Sequence, residues 1–210
     1  MLTLINKYFP ALTPEQYDQL NMFADLLLDW NEKINLISRK DTANIEQHHI
    51  LHSLAIAKFI GFKSDTDILD LGSGGGLPGI PLAILFPDSS FHLIDRIGKK
   101  MSAAKDMAEK LGLKNVTTTH GDVSELKKKF HFIVNRGVMP QPDIIKAVRK
   151  IVSEKNFNAL PNGVISLKGG DLTNELKSIQ KQSEIVGLNN YFQEPFFETK
   201  KIVYTPVYTK

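Results

Sequence analysis

The chain contains no cysteine and a single tryptophan among its 210 residues. Without thiols it can build neither a disulfide framework nor a thiolate metal site. Long apolar runs are also missing, so nothing approaches the roughly 20 residues that a membrane-spanning helix requires, and no secretory leader opens the chain. A strong excess of one charge is absent too: 26 Lys and Arg stand against 23 Asp and Glu, a net charge of +3 that permits a polyanionic partner without demanding one. There are no repeats and no low-complexity tracts. The expectation is a cytoplasmic protein with no membrane partner, monomeric, large enough for one core plus an extension.

What is present falls into two textures. Residues 1–62 read as a helical extension. Thr13 is an N-cap followed by Pro14 at the first helical position, Leu20, Phe23, Ala24, Leu27 and Leu28 recur at helical spacing, and a second helix is expected over Ile45–Ile60. Residues 63–210 alternate short β-prone runs with helical ones, the pattern of a doubly wound α/β sheet of Rossmann-like type, mostly parallel. Strands are predicted at Asp67–Leu71, Ser90–Asp95, Asn115–His120, His131–Asn135 and Gly163–Lys168. Helices are predicted near Pro78–Phe86, Lys99–Leu111, Pro142–Val152 and Leu172–Glu184. Two late aromatic and β-branched segments, Tyr191–Phe197 and Lys201–Tyr208, suggest an antiparallel pair that closes the sheet.

The most informative segment is Asp70–Pro81, a run of glycines between the first predicted strand and its helix. Gly72 and Gly74 lack Cβ atoms, so the backbone there can turn sharply and approach a ligand, as it does in folds that hold nucleotide-like molecules at this position. A dinucleotide fingerprint places Gly or Ala at the position filled by Leu77 and sets a pyrophosphate beside the loop, where Asp70 would repel it. S-adenosylmethionine carries a cationic sulfur and an ammonium group, so Asp70 favours that cofactor. Asp95, ending the second strand, suits ribose hydroxyls. Gly121-Asp122-Val123-Ser124, after the third, lies where an adenine edge would be bonded, although Asp122 is equally ordinary turn chemistry.

These residues resemble the RsmG (GidB) ribosomal RNA methyltransferases of bacteria over nearly the whole chain. The likeness rests on Asn35-Leu36, His49-Ile50-Leu51-His52-Ser53-Leu54, the loop Gly72–Pro81 with its Pro78-Gly79-Ile80-Pro81 ending, Asp95 with Gly98-Lys99-Lys100, Asn135-Arg136-Gly137 and Leu167-Lys168-Gly169. The resemblance implies a class I S-adenosylmethionine-dependent methyltransferase fold with an antiparallel C-terminal strand. It implies an rRNA (guanine-N7)-methyltransferase whose partner is 16S rRNA or the 30S subunit, modified in the decoding-region loop. Cofactor contacts would fall at Gly72, Leu77, Val123, Ser124 and Arg136. The chain departs from the family pattern at His52, Lys100, Asp122, Asn135 and Gly137, and the changes at 52, 100 and 122 bear on RNA contact, because Arg and Lys are not interchangeable at bidentate sites.

Guanine N7 carries a lone pair and no proton, so a general base is unnecessary, and no Ser-His-Asp or paired-carboxylate constellation stands out. Arg136, at the end of the fourth strand, could bind the methionine carboxylate, orient the guanine or form a structural ion pair. Lys168 could reach RNA phosphate or the substrate base, or remain a solvated strand end. Lys99 and Lys100 are candidate RNA contacts, although charge clusters of this kind are commonly just solvated helix ends. His48 and His52 share a helical face, but no third ligand accompanies them, so no metal is expected. The competing readings are a methyltransferase acting on a small molecule or protein, a dinucleotide oxidoreductase and a non-catalytic RNA-binding module.

Overall fold

The structure, a computed structural model, describes residues 2–208. Seven strands form one sheet: β1 (Asp67–Leu71), β2 (Ser90–Asp95), β3 (Val116–His120), β4 (Phe132–Arg136), β5 (Gly163–Gly169), β6 (Glu184–Gly187) and β7 (Lys200–Pro206). Their order is β3-β2-β1-β4-β5-β7-β6. The first five run parallel, and β7 pairs antiparallel with both β5 and β6. Strand order reverses at β1, which lies between β2 and β4, and the crevice beyond the carboxyl ends of these three strands is where open α/β sheets bind ligands. From Ile68 to Leu71 every residue of β1 is buried, as expected of a parallel strand covered on both faces.

Helices α1 (Thr3–Tyr8), α2 (Pro14–Lys33), α3 (His52–Phe59), α4 (Gly79–Leu85), α5 (Gly98–Lys110), α6 (Gln141–Val148) and α7 (Thr173–Leu176) complete the architecture, with a π-type turn at Glu46–Leu51 leading into α3. The start of α2 is a capping box: the Gln16 backbone N–H donates to Thr13 Oγ1 at 3.2 Å and the Thr13 N–H to Gln16 Oε1 at 3.1 Å. Its apolar face, Leu20, Phe23, Ala24 and Leu27, is buried in the same cluster as Ile80 of α4 and Met101 of α5. Each such leucine contributes about 1.5–3 kcal/mol by leaving water. Trp30 Nε1 donates to Asp106 Oδ2 on α5 at 2.8 Å, and Gln16 Nε2 satisfies the Ile84 carbonyl at the end of α4 at 3.0 Å. The N-terminal helices are thus fastened to the helices that flank the glycine loop. Residues 1 and 209–210, at the outer ends of the expected two-part division, lie outside the described residues. No described helix is long and apolar enough to cross a membrane.

Two expectations near the C-terminus need correction. The helix expected at Leu172–Glu184 shrinks to α7 and a 3₁₀ turn at Gln180–Gln182, after which the chain forms β6. The segment Tyr191–Phe197 is no strand, and the strand that pairs with the outer edge of β7 is β6 instead. It contains a 3₁₀ turn at Pro195–Phe197 that buries Phe192 and Phe197, packing edge-on against Tyr8 and His52. Aromatic content signals a surface to be covered rather than an extended backbone, and here the N-terminal helices supply the cover.

Candidate active site

The glycine loop leaves β1 pinned to its neighbour, because the Gly72 and Ser73 N–H groups both donate to the Ile94 carbonyl of β2, at 2.8 and 3.1 Å. Gly72 has a φ of +67°, and a Cβ there would lie 2.7 Å from Val138 Cγ2, so side chains are refused on conformational and steric grounds alike. On the other side of the loop Gly75 packs against Leu27 and Leu36, where an added Cβ would sit 3.1 Å from each. Asn31 places Leu36, its Oδ1 accepting from the Leu36 and Ile37 N–H groups at 2.8 and 2.9 Å. The N-terminal extension therefore supplies a wall of the site.

Between the loop and the ends of β2, β3 and β4 lies a cavity of about 570 Å³, within the range of small-molecule sites. Gly72, Gly74, Leu77, Asp95, Lys100, Asp122, Val123 and Arg136 all line it, so sequence reading brings most of its candidates to one place. Leu36, Arg96, Ile97, Val138 and Met139 line it as well and were not anticipated as contacts. Of these, Leu36 stood inside the family-like Asn35-Leu36 pair, whereas Val138 and Met139 carried no chemical signal.

Asp95 is held at the mouth by two backbone donors, Gly74 N–H to Oδ2 at 3.0 Å and Ile97 N–H to Oδ1 at 2.8 Å. Asp122 is held similarly: its Oδ1 accepts from the Ser124 hydroxyl at 2.6 Å and N–H at 2.9 Å, and Arg96 pairs with Oδ2. These bonds, the hydroxyl foremost, lower its pKa to about 2. Ser124 does not line the cavity and reaches it only through Asp122; Lys99 is exposed and also off the wall, unlike Lys100.

Asp70 is a correction. Expected to face the ligand, it is fully buried behind the loop and forms no part of the cavity wall. Its Oδ2 accepts the Gly79 N–H at the start of α4 at 2.7 Å, while Oδ1 is buried without a partner. A Cβ on Gly79 would lie 2.6 Å from Oδ2, which is why glycine follows nine positions later. Burial raises the Asp70 carboxyl to about 7, so it is neutral below that pH and places a charge beneath the loop, without touching the ligand, only above it.

Arg136 makes no ion pair among the described residues. Its Nη1 donates to the His48 carbonyl at 3.3 Å and to His49 Nδ1 at 3.0 Å. An arginine can only donate, so His49 Nδ1 accepts and its neutral ring carries the proton on Nε2. Burial, helped by the Arg136 charge, lowers His49 to about 4. Arg136 itself is lowered to about 10 by burial. The adjacent His48 stacks on Phe196 with ring centroids 4.0 Å apart and is bonded to Asp41 at 2.9 Å. Neighbouring His52 is buried, and that burial holds its pKa well below the ordinary histidine value. The histidines therefore build the floor beneath Arg136.

Lys168 is buried, not a solvated strand end: its Nζ pairs with Glu175 Oε1 at 2.9 Å and donates to the Met139 carbonyl at 2.5 Å. It lines a second cavity, of about 450 Å³, that shares the segment Arg136–Met139 with the first. Two neighbouring compartments separated by one loop can hold two reactants side by side.

Comparison with known proteins agrees with this geometry. The family model "GidB: rRNA small subunit methyltransferase G" matches residues 16–203. The chain is 53% identical over 206 residues to a "Ribosomal RNA small subunit methyltransferase G" of Phocaeicola vulgatus, covering 98% of this chain and 99% of that one. It is 46% identical to the protein of the same name from Cytophaga hutchinsonii, covering 99% of this chain and all of that one. Among solved structures, a SAM-dependent methyltransferase from Aquifex aeolicus is similar with a TM-score of 0.57 at 13% identity, covering 82% of this chain and all of that one. One from Thiobacillus denitrificans in complex with S-adenosyl-L-homocysteine is similar with a TM-score of 0.51 at 18% identity, covering 71% and 74%. The fold is thus that of the class I S-adenosylmethionine-dependent methyltransferases, and the chain belongs to the GidB family of rRNA small subunit methyltransferases.

Proposed function

We propose that this protein, a cytoplasmic monomer, methylates N7 of a guanosine in the decoding-region loop of 16S ribosomal RNA, drawing the methyl group from S-adenosylmethionine. The observation that carries the reading is the first cavity, which lies at the switch point of the sheet and is walled by the glycine-rich loop with the Asp95 carboxylate fixed beside it. The residues suit the cofactor: Asp95 retains unspent lone pairs for ribose hydroxyls, Gly72 and Gly74 admit close approach, and the Gly121–Val123 wall would meet the adenine. Leu77 supplies apolar contact, and Ser124 steadies Asp122. Arg136, which has no carboxylate partner among the described residues, is the group for the methionine carboxylate.

When bound, S-adenosylmethionine supplies a sulfonium-linked methyl group, which guanine N7 takes through its in-plane lone pair while the carbon–sulfur bond breaks toward sulfur. No proton leaves N7, so the protein needs no base. Its work is positioning, which can supply roughly 7–11 kcal/mol of a barrier when reacting atoms are held about 3–3.5 Å apart. Arg136, on the segment shared by the two cavities, and Lys168, on the wall of the second, orient the two reactants, while Lys100 on the wall of the first and the exposed Lys99 beside it are available to RNA phosphate. Binding through such lysines weakens as salt rises, because each neutralised phosphate releases counterions. Mapping N7-methylguanosine by chemical cleavage of 16S rRNA from cells with and without the gene tests the proposal. Loss of one site in the deletion strain is expected, and an unchanged pattern overturns it.

A further inference from the structure

The second cavity holds a feature that methyl transfer from the first does not by itself require. At its wall Lys168 and Glu175 form a built pair: Lys168 Nζ is fixed by Glu175 Oε1 and the Met139 carbonyl, and Oε1 also accepts the Gln141 N–H at 2.9 Å. These bonds leave one atom on each partner unspent. The ammonium has a third N–H, and Glu175 Oε2 accepts no hydrogen bond among the described residues. Glu175 is the sole carboxylate on the wall of this cavity, and its side chain remains 23% exposed. A donor therefore stands beside an acceptor, on side chains whose positions are already locked.

Resting on the function proposed above, we infer that this cavity receives the base to be methylated and that the Lys168–Glu175 pair selects guanine by its Watson–Crick edge. Guanine presents there an acceptor, O6, next to two donors, N1–H and the N2 amine. The free ammonium proton faces O6, and the free carboxylate oxygen takes N1–H and N2–H. Adenine presents an amine and an unprotonated N1 on the same edge, so it meets a donor with a donor and an acceptor with an acceptor. Reading this edge leaves N7, on the opposite side of the purine, open toward the shared Arg136–Met139 wall and the first cavity. An arginine fork on O6 and N7 would instead block the reacting atom.

The same contact favours the reaction itself. As N7 acquires a methyl group the purine becomes cationic and N1–H more acidic, so its hydrogen bond to Glu175 strengthens on the way to the transition state. Glu175 is accordingly a specificity-determining residue that affects turnover as well as binding.

The test uses 16S rRNA assembled by splinted ligation, with either guanosine or inosine at the position mapped in cells; inosine keeps O6 and N1–H but lacks the N2 amine. The wild-type enzyme should prefer guanosine by about tenfold or more in kcat/KM, and Glu175→Gln, which retains an acceptor for Lys168 and Gln141, should bring the two substrates to within about threefold. Its affinity for S-adenosylmethionine should stay at the wild-type value; the thermal midpoint should fall because Lys168 loses its buried counter-charge, and a merely structural lesion would produce that fall while sparing the base ratio. Equal use of inosine and guanosine by the wild type overturns the inference, as does an undiminished preference in Glu175→Gln. If the wild type methylates no rRNA, the function proposed above fails and takes this inference with it, an outcome distinct from methylation without discrimination.

Discussion

Replacing the buried acid by its amide, Asp70→Asn, should stabilise the unliganded protein at alkaline pH while weakening its hold on S-adenosylmethionine. Asp70 is fully buried with one oxygen unpartnered, and its carboxyl is raised from 3.8 to about 7. Between these values the folded protein binds a proton that the unfolded chain does not. This group's contribution is therefore greatest below about pH 4 and is withdrawn as pH rises toward 7, reaching about 4 kcal/mol of lost stability once the carboxylate is ionised. Asparagine keeps an acceptor for the Gly79 N–H but buries an unsatisfied amine, a loss of about 1–3 kcal/mol. The net expectation is a gain of about 1–3 kcal/mol near pH 8 that disappears near pH 4. Near pH 8, where Asp70 is ionised, the cationic donor loses an attractive charge below the loop, and its affinity should fall by about tenfold, equivalent to about 1.4 kcal/mol, a difference that closes at about pH 5. Urea unfolding of both proteins across this pH range, with calorimetric titration of the ligand, measures both effects. Identical pH slopes for wild type and variant would refute the reasoning.

Gly72→Ala should cost roughly 1–3 kcal/mol in stability and reduce cofactor affinity at least as much, because the added carbon must both adopt φ +67° and displace Val138; thermal unfolding and calorimetry read the two separately. Asp95→Asn should lower affinity for S-adenosylmethionine about 10- to 100-fold while leaving the fold intact, a result to be compared with the affinity for adenine alone, which should not change. His49 should remain neutral down to about pH 4. Because its pKa is depressed, its contribution is complete above the ordinary 6.5 and is lost as pH falls from there toward 4; histidine-selective NMR titration would show this, and a ring titrating near 6.5 would contradict the Arg136 contact.

Local chemistry was readable where one segment decides the outcome. The Thr13 cap, the Asp67–Leu71 and Ser90–Asp95 strands and the glycine loop all follow from turn residues and periodicity, and the structure reproduces the bounds of both strands. Reading failed where distant residues decide. The Tyr191–Phe197 aromatics are rich in β-formers, yet Tyr8, His48 and His52 from the other end of the chain meet them and draw them into compact turns. The four-residue β6 lay hidden at the end of an expected helix, since its only cue is the register it makes with β7. Within the site the alternation of β1 turned Asp70 away from the cavity, a direction that composition cannot give. The importance of Glu175 was invisible because it depends on Lys168, which lies on a different element.

The most direct test of the account is transfer by the purified protein of labelled methyl from S-adenosylmethionine to 16S rRNA or 30S subunits lacking the modification, followed by digestion and mass analysis of the nucleosides. The account predicts label approaching one equivalent per subunit, all of it in N7-methylguanosine at a single position. Label in another nucleoside, or in none while the cofactor binds tightly, would contradict it.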